Sequence, residues 1–256
     1  MDLLLHQVDA FTKVPFAGNP AAVAILDSPV GDSFMQSVAA EMNLSETAFV
    51  IPGEENFGLR WFTPASEVDL CGHATLASAH VLWEQGVADY DSRIVFDTLS
   101  GKLEAWRKGD TIEMDFPSEP PVMGDAVELV RRAIPASITA VGRNRLDYLV
   151  VLESEEGVRE LRPDFDAVSR LGSRGVIVTA LSGEPTIDFV SRYFAPQFGI
   201  PEEPVTGSAH CCLGPYWAGI LGRPTLVGYQ ASSRGGTVHV RVIGDRVLIG
   251  GSAITT

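Results

Sequence analysis

The sequence predicts an α+β fold of two pseudo-symmetric halves, each an antiparallel-rich sheet wrapped round one apolar helix. Three observations carry this expectation. A small-residue turn with a glycine leads twice into a nearly charge-free segment. The turns are Asp69-Leu70-Cys71-Gly72-His73-Ala74-Thr75 and Pro204-Val205-Thr206-Gly207-Ser208-Ala209-His210. Secondly, matches recur at a constant spacing. An offset of 135 lays Gly207 on Gly72, Ala209 on Ala74, Gly236-Thr237-Val238 on Gly101-Lys102-Leu103, and Gly244-Asp245-Arg246-Val247 on Gly109-Asp110-Thr111-Ile112. Ser191-Arg192-Tyr193-Phe194-Ala195-Pro196 echoes Leu59-Arg60-Trp61-Phe62-Thr63-Pro64 at an offset of 132. Matches in register over about 50 residues read as an internal duplication. Thirdly, the segments after the two turns, Ala74 to Trp83 and Ala209 to Leu221, lack a polar face, and a helix of that kind needs cover on all sides.

In chain order, His6 to Phe11 alternates as a strand, Val14 to Pro20 is a turn with Gly-Asn-Pro loop chemistry, and Ala21 to Leu26 resumes as a strand. Met35, Val38, Ala39 and Met42 have helical spacing within Phe34 to Met42, which ends at Asn43. Leu44 to Ile51 is a strand entered through a polar triplet, and Leu59 to Pro64 is a strand stopped by proline. The first glycine-helix element follows and is closed by Gly86. Arg93 to Leu99, Gly101 to Trp106 and Thr111 to Phe116 are strands, the last two joined by the hairpin signal Lys108-Gly109-Asp110. Pro117-Ser118-Glu119-Pro120-Pro121 is the candidate linker, so the halves are set at 1–118 and 119–256, with the extreme C-terminus crossing back to the first half. In the second half Val127 to Ile134 and Phe165 to Leu171 read as helices. Asp147 to Glu153, Gly175 to Leu181 and Ile187 to Tyr193 read as strands. Pro215 predicts a bend or break in the second apolar helix.

Composition excludes several classes of function. The 256-residue chain is 45% hydrophobic and carries a formal net charge of −14 with no Lys/Arg run, which argues against nucleic acid or an anionic membrane as partner. The opening Met1-Asp2-Leu3-Leu4-Leu5-His6 has no basic n-region, and no stretch approaches about 18 uninterrupted apolar residues, the length of a membrane span. Three cysteines, Cys71, Cys211 and Cys212, in apolar segments fit a reduced, cytoplasmic setting.

Several residues stand out chemically. Glu46 lies ahead of the apolar Ala48-Phe49-Val50, where burial of a carboxylate raises its pKa and suits proton transfer. The plain alternative is a polar strand entry. His73 at a helix start offers a neutral imidazole, or is structural. Glu202 and Glu203 precede the second turn, either as a solvated acidic loop or with one of them a second carboxylate of a site. Ser208 is most simply an N-cap. The two helix starts offer unpaired N–H groups to an anionic substrate. No nucleotide-binding, nucleophile-elbow or zincin motif is present, and Cys71, His73, His210 and Cys211 lack ordinary zinc spacing, so no metal is expected.

These residues resemble the PhzF-like phenazine-biosynthesis family, which shares the diaminopimelate epimerase fold. The resemblance rests on Val8-Asp9-Ala10-Phe11 with Gly18-Asn19-Pro20, Asn43-Leu44-Ser45-Glu46-Thr47-Ala48-Phe49, Cys71-Gly72-His73-Ala74-Thr75 and Glu203-Pro204-Val205-Thr206-Gly207-Ser208-Ala209, in family order through both halves. It implies a cofactor-independent isomerase that moves a proton between carbons of a small carboxylic acid, with the site in the cleft between the halves, and a homodimer. Carried over by position, Glu46 would be the acid/base, with His73 and Glu203 as further catalytic groups. Ser45 and Ser208 would contact substrate, and the amides near Gly72 and Gly207 would hold its carboxylate. Glu203 stands where the family pattern has aspartate. Related racemases use two thiols, but Cys71 maps to Thr206, too weak an acid for that chemistry. The other readings are a two-base racemase or epimerase using Glu46 and Glu203, and a non-catalytic small-molecule binder.

Overall fold

The computed structural model describes residues 3–124 and 128–256; Met1, Asp2 and the predicted helix start at Val127 lie outside the described residues. Internal contacts divide the chain into two units, Met1–Asp115 with Gly250–Thr256, and Phe116–Ile249.

In the first unit, β1 (Leu5–Ala10) and β2 (Asn19–Ile25) pair antiparallel, with Val8 opposite Ala21. Asn19 and Pro20 therefore open a strand, although Gly-Asn-Pro reads as turn. Gly18 has φ +66°, and a Cβ there would sit 2.2 Å from the Ala10 carbonyl oxygen, so only glycine fits. Helix α1 (Asp32–Met42) buries Met35 and Ala39 and ends on Asn43 in the left-handed region. Next come β3 (Glu46–Pro52), β4 (Phe57–Phe62), the short β5 (Glu67–Val68) and helix α2 (Gly72–Glu84). Strands β6 (Ile94–Thr98), β7 (Gly101–Lys108) and β8 (Thr111–Pro117) form an antiparallel meander, turning between the last two at Gly109. Ten of the thirteen residues of α2 are buried, and it packs against β1, β2 and β3, which supplies the cover that an all-apolar helix requires.

The second unit runs β9 (Val122–Gly124), α3 (Glu128–Ala133), β10 (Ile138–Arg143), β11 (Asp147–Leu152), α4 (Glu155–Arg159) and α5 (Phe165–Ser169). It continues through β12 (Gly175–Leu181), β13 (Phe189–Ala195), β14 (Ile200–Glu203) and α6 (Gly207–Leu221). The strands β15 (Thr225–Gln230), β16 (Gly236–Ile243) and β17 (Arg246–Gly251) follow; β18 (Ala253–Thr255) belongs to the first unit, where it pairs with β1. Val150, Val178, Val190 and Phe194 on the sheet pack with Val130, Val158, Ala167 and Val168 from α3, α4 and α5.

The duplication is visible in pairing sense. β2–β3 is parallel, β3–β4 and β4–β5 antiparallel, β4–β6 parallel and β6–β7 antiparallel. The series β11–β12, β12–β13, β13–β14, β13–β15 and β15–β16 repeats those senses one for one. An ion pair is repeated with it. Arg60 donates through Nε and Nη2 to both Glu67 oxygens at 2.6 and 2.7 Å, and Arg192 does the same to Glu202 at 2.6 and 2.8 Å. Such two-pronged pairs fix geometry because the planar guanidinium matches the carboxylate.

Two expectations are corrected here. Helix α6 runs unbroken through Pro215. Proline removes the bond to the carbonyl four residues back, and that carbonyl, on Cys211, instead accepts the Glu119 N–H at 3.0 Å. Cover of α6 is also partial: its first two turns are buried, while Ile220 near its end is 60% exposed.

Candidate functional site

In the first unit the start of β3 meets the start of α2. Glu46 is the first residue of β3, and His73 the second residue of α2 after Gly72. His73 Nε2 lies 3.2 Å from Glu46 Oε2, with the two side chains 2% and 13% exposed. The other ring nitrogen, Nδ1, is 3.1 Å from Asn19 Nδ2 and 3.5 Å from Cys71 Sγ. Burial pushes the His73 pKa down to about 3, so the ring is neutral near pH 7 and carries one proton. The Asn19 amide and the Cys71 thiol both approach Nδ1 as donors, which leaves that proton on Nε2, facing Glu46. Ser45 is half-buried in the bend before β3.

The cap residue of α2 is Cys71, in extended backbone, and its carbonyl accepts both the Thr75 N–H at 3.1 Å and the Thr75 hydroxyl at 2.6 Å. The N–H groups of the first helical turn have no carbonyl partner within the helix, so an anion is favoured there.

In the second unit, α6 begins at Gly207 with Thr206 as cap residue. Ser208 is therefore the second residue of the helix and not its N-cap, because the helix starts two residues earlier than the apolar run suggests. Glu202 and Glu203 sit on β14 and not in a solvated loop: Glu202 is held by Arg192, and Glu203 stands opposite Tyr193 across the strand pair. Gln230, fully buried, pins the turn that follows. Its amide accepts the Thr206 N–H at 2.8 Å and donates to the Glu203 carbonyl at 2.8 Å and to Thr206 Oγ1 at 3.2 Å. His210 donates from Nδ1 to the Thr206 carbonyl at 2.8 Å, the counterpart of Thr75 on Cys71. Burial pushes Cys211 up to about 12, so its thiol stays protonated at neutral pH.

The second unit also holds a buried charge pair. Arg174 donates through Nε and Nη2 to the two oxygens of Asp147, at 3.1 and 2.5 Å, and the Tyr193 hydroxyl donates to Asp147 at 3.0 Å. Asp147 is wholly buried, and its carboxylate is satisfied by these three donors.

A family model described as phenazine biosynthesis-like protein, PhzC-PhzF, matches residues 8–256. The chain belongs to this family. An uncharacterized isomerase of Halalkalibacterium halodurans is 49% identical to it over 253 residues, 98% of this chain and 95% of that protein. The crystal structure of a PhzF-family phenazine biosynthesis protein from Enterococcus faecalis matches with a TM-score of 0.95 at 42% identity, covering 100% of this chain and 97% of that one. A predicted epimerase of Pseudomonas aeruginosa, at 23% identity and a TM-score of 0.75 over 100% of this chain and 97% of that one, shares the fold. The epimerase-like α+β architecture expected from the motifs is thus the architecture of this PhzC-PhzF chain.

Sequence reasoning passed over two residues that shape these sites in the PhzC-PhzF chain. Asn19 reads as turn chemistry and as part of the Gly18-Asn19-Pro20 motif, with no role of its own, yet its amide lies 3.1 Å from His73 Nδ1. Gln230 carries no motif, and its role depends on a strand register that brings it beneath the Glu203–Thr206 turn. The sequence spacing that speaks against a metal involves Cys71 and His73 but not Glu46. The structure brings ligand-type atoms of Glu46, Cys71 and His73 within 4.8 Å of one another, a group of the kind that can hold an ion.

Proposed function

We propose that the chain is a cofactor-independent isomerase of the PhzF type, which moves a proton between carbons of a small carboxylic acid, with Glu46 as the acid/base. The observation that carries the reading is the Glu46–His73 pair at 3.2 Å, with Asn19 and Cys71 fixing the far side of the ring. A carboxylate takes the proton from one carbon and returns it to another, which needs a single group of alternating charge. The neutral imidazole, with its proton on Nε2, faces the carboxylate and would donate towards charge developing on the substrate. The N–H groups around Gly72 at the start of α2 would bind the substrate carboxylate, with Ser45 beside Glu46 as a further contact.

Family membership and the isomerase name of a relative at 49% identity support the reaction class. In the second unit, Glu203 on β14 and Gly207 and Ser208 at the start of α6 are the residues proposed to contact substrate there. A two-thiol racemase is disfavoured by Thr206 at the position matching Cys71 and by the raised thiol pKa of Cys211.

The test is solvent exchange. Candidate cyclic and amino carboxylic acids are incubated with protein in D2O, and deuterium incorporation is followed by proton NMR. Glu46→Gln is expected to lower the rate on the order of 10²–10⁴-fold, the usual share of a positioned acid/base. An unchanged rate in Glu46→Gln would remove Glu46 as the base.

A further inference from the structure

Three of the four tryptophans put their indole N–H to use. Trp83 donates to the Ser92 carbonyl at 3.3 Å, Trp106 to the Glu113 carboxylate at 3.2 Å and Trp217 to the Thr179 hydroxyl at 3.0 Å. Trp61 on β4 is the exception. It is 1% exposed, and its Nε1–H has no hydrogen-bond partner among the described residues. A buried indole N–H ordinarily finds an acceptor, because it has given up its water and can only donate.

Trp61 pairs with Ala48 across β3 and β4. It therefore shares a sheet face with Glu46, two residues before Ala48, and is its diagonal neighbour, within reach of a large ring. The second unit shows how an aromatic residue at this position is used. Matching registers make Tyr193, Gly175, Asp147 and Arg174 the counterparts of Trp61, Glu46, Ala21 and Ser45. Tyr193 carries its hydroxyl to the start of the strand: a Cβ on Gly175 would lie 2.3 Å from it, and it donates to Asp147 at 3.0 Å. Arg174 supplies the other donors to that carboxylate. The first unit keeps a donor at both positions, Trp61 and Ser45, but has the methyl group of Ala21 where Asp147 stands. The donors are retained and the built-in acceptor is gone.

We propose that an oxygen of the substrate carboxylate fills, in the first unit, the place that the Asp147 carboxylate fills in the second. It accepts the Trp61 Nε1–H, with the Ser45 hydroxyl as a second donor, beside Glu46. The part played in catalysis rests on the isomerase reading above; the binding of a carboxylate does not. In that reaction Glu46 takes the proton from the carbon next to the carboxylate. The electron pair of the broken C–H bond spreads onto the carboxylate, so charge grows on the oxygen that faces Trp61. A fixed neutral donor screened from water stabilises that charge and gives up no proton of its own. Return of the proton from Glu46 to another carbon removes the charge again.

Acetate is the probe, with chloride at equal ionic strength as the control. Proton–nitrogen-15 correlation spectra of the full chain should show four indole signals, and Trp61→Phe identifies the Trp61 signal by its loss. Acetate is expected to move that signal downfield, saturably, and to leave the other three in place. Ser45→Ala should weaken acetate binding about fivefold, the worth of one hydrogen bond. Ala21→Asp, which supplies the acceptor from within, should move the Trp61 signal downfield without acetate and abolish the response to it. A Trp61 signal that ignores acetate in the unmodified protein, or moves equally with chloride, overturns the site. In deuterium exchange, Trp61→Phe should lower kcat on the order of 10²–10³-fold, the usual cost of one such donor, with a smaller change in KM. An unchanged kcat overturns the catalytic part. Should no acid exchange at all, the isomerase reading fails and the indole shift alone decides the carboxylate site.

Discussion

Gly175 holds in the second unit the strand position that Glu46 holds in the first. Thr47 pairs with Phe62 and Val176 with Phe194, and Phe62 and Phe194 match in the repeated Arg-aromatic-Phe segments, so the residues just before Thr47 and Val176 correspond. The neighbouring register agrees: Glu46 pairs with Ala21 and Gly175 with Asp147. Glu203 likewise corresponds to Val68, since Tyr193 pairs with Glu203 where Trp61 pairs with Val68. The duplicated fold therefore carries its two candidate carboxylates, Glu46 and Glu203, at non-equivalent positions.

The space beside Gly175 is filled, which gives a direct prediction. A Cβ there would lie 2.3 Å from the Tyr193 hydroxyl and 2.4 Å from its ring carbon. Tyr193 cannot retreat without losing its bond to buried Asp147. Gly175→Ala is expected to destabilise the protein by about 1–3 kcal/mol or more through overpacking, measured as a lowered urea midpoint at unchanged slope. Tyr193→Phe combined with Gly175→Ala should not recover the loss, because Asp147 then lacks a donor.

Asn19 is argued to act on His73 and not on substrate. Asn19→Ala is expected to leave the fold intact and to lower kcat on the order of 10²-fold, the cost of a small misplacement of a working group, with little change in KM. Nitrogen-15 NMR of the imidazole supplies a readout that a merely structural role would not move. The native ring should show a protonated Nε2 and a bare Nδ1, and the variant a mixture of the two neutral forms. A native ring protonated on Nδ1 would remove the proposed orientation.

Much of this was legible in the sequence, and what was not has identifiable causes. Helices α2 and α6 stood out because a charge-free run at helical length has few other uses. Both helices start two residues before their apolar runs, because Gly72 and Gly207 read as turn although the first helical turn tolerates glycine. The offset of 132 was carried by Arg60 and Arg192, whose equivalent ion pairs show why both copies kept arginine. Strand β14 reads as an acidic loop, because the partners that make it a strand, the backbone of β13 and Arg192 on Glu202, lie outside the local pattern. Pro215 misleads for the same reason: the donor that satisfies the freed carbonyl, Glu119, is 96 residues from the proline. Glu46 and His73 stood out by residue type and neighbours, whereas Asn19 and Gln230 act through long-range hydrogen bonds that no local pattern encodes.

Acid should destabilise the protein through its buried histidines. Burial lowers His73 to about 3 and His210 to about 4, from an ordinary value of 6.5. Below about pH 6.5 the unfolded chain takes up protons that the native state refuses. Stability from these groups is thus complete above that pH and is lost as pH falls, ending near 4 for His210 and near 3 for His73. Once the unfolded histidines are protonated, the loss is about 1.4 kcal/mol per pH unit for each. Urea midpoints at pH 7, 6 and 5 should fall accordingly, and His210→Gln should show a shallower decline than the native chain. A decline of equal steepness in that variant would contradict the assignment.

Gln230 offers the clearest separation of site architecture from chemistry. Its amide makes three bonds to the segment joining β14 to α6, and Thr206 has no side-chain cap bond of its own to replace them. Replacing it by leucine of similar length keeps the packing and leaves the Thr206 N–H and Glu203 carbonyl without their partner. A cost of about 1–3 kcal/mol is expected for each buried group left unsatisfied. The effect should be local before it is global. Hydrogen exchange at the Thr206 amide should rise in Gln230→Leu by more than at amides of β12, because opening of one turn needs less than unfolding of the sheet. Gln230→Glu retains an acceptor for the Thr206 N–H but loses the donor to the Glu203 carbonyl. Protection at Thr206 should therefore return in Gln230→Glu while the Glu203 end stays loosened. Equal loss of protection across β12 and the turn would mean that Gln230 supports the whole unit and not the start of α6.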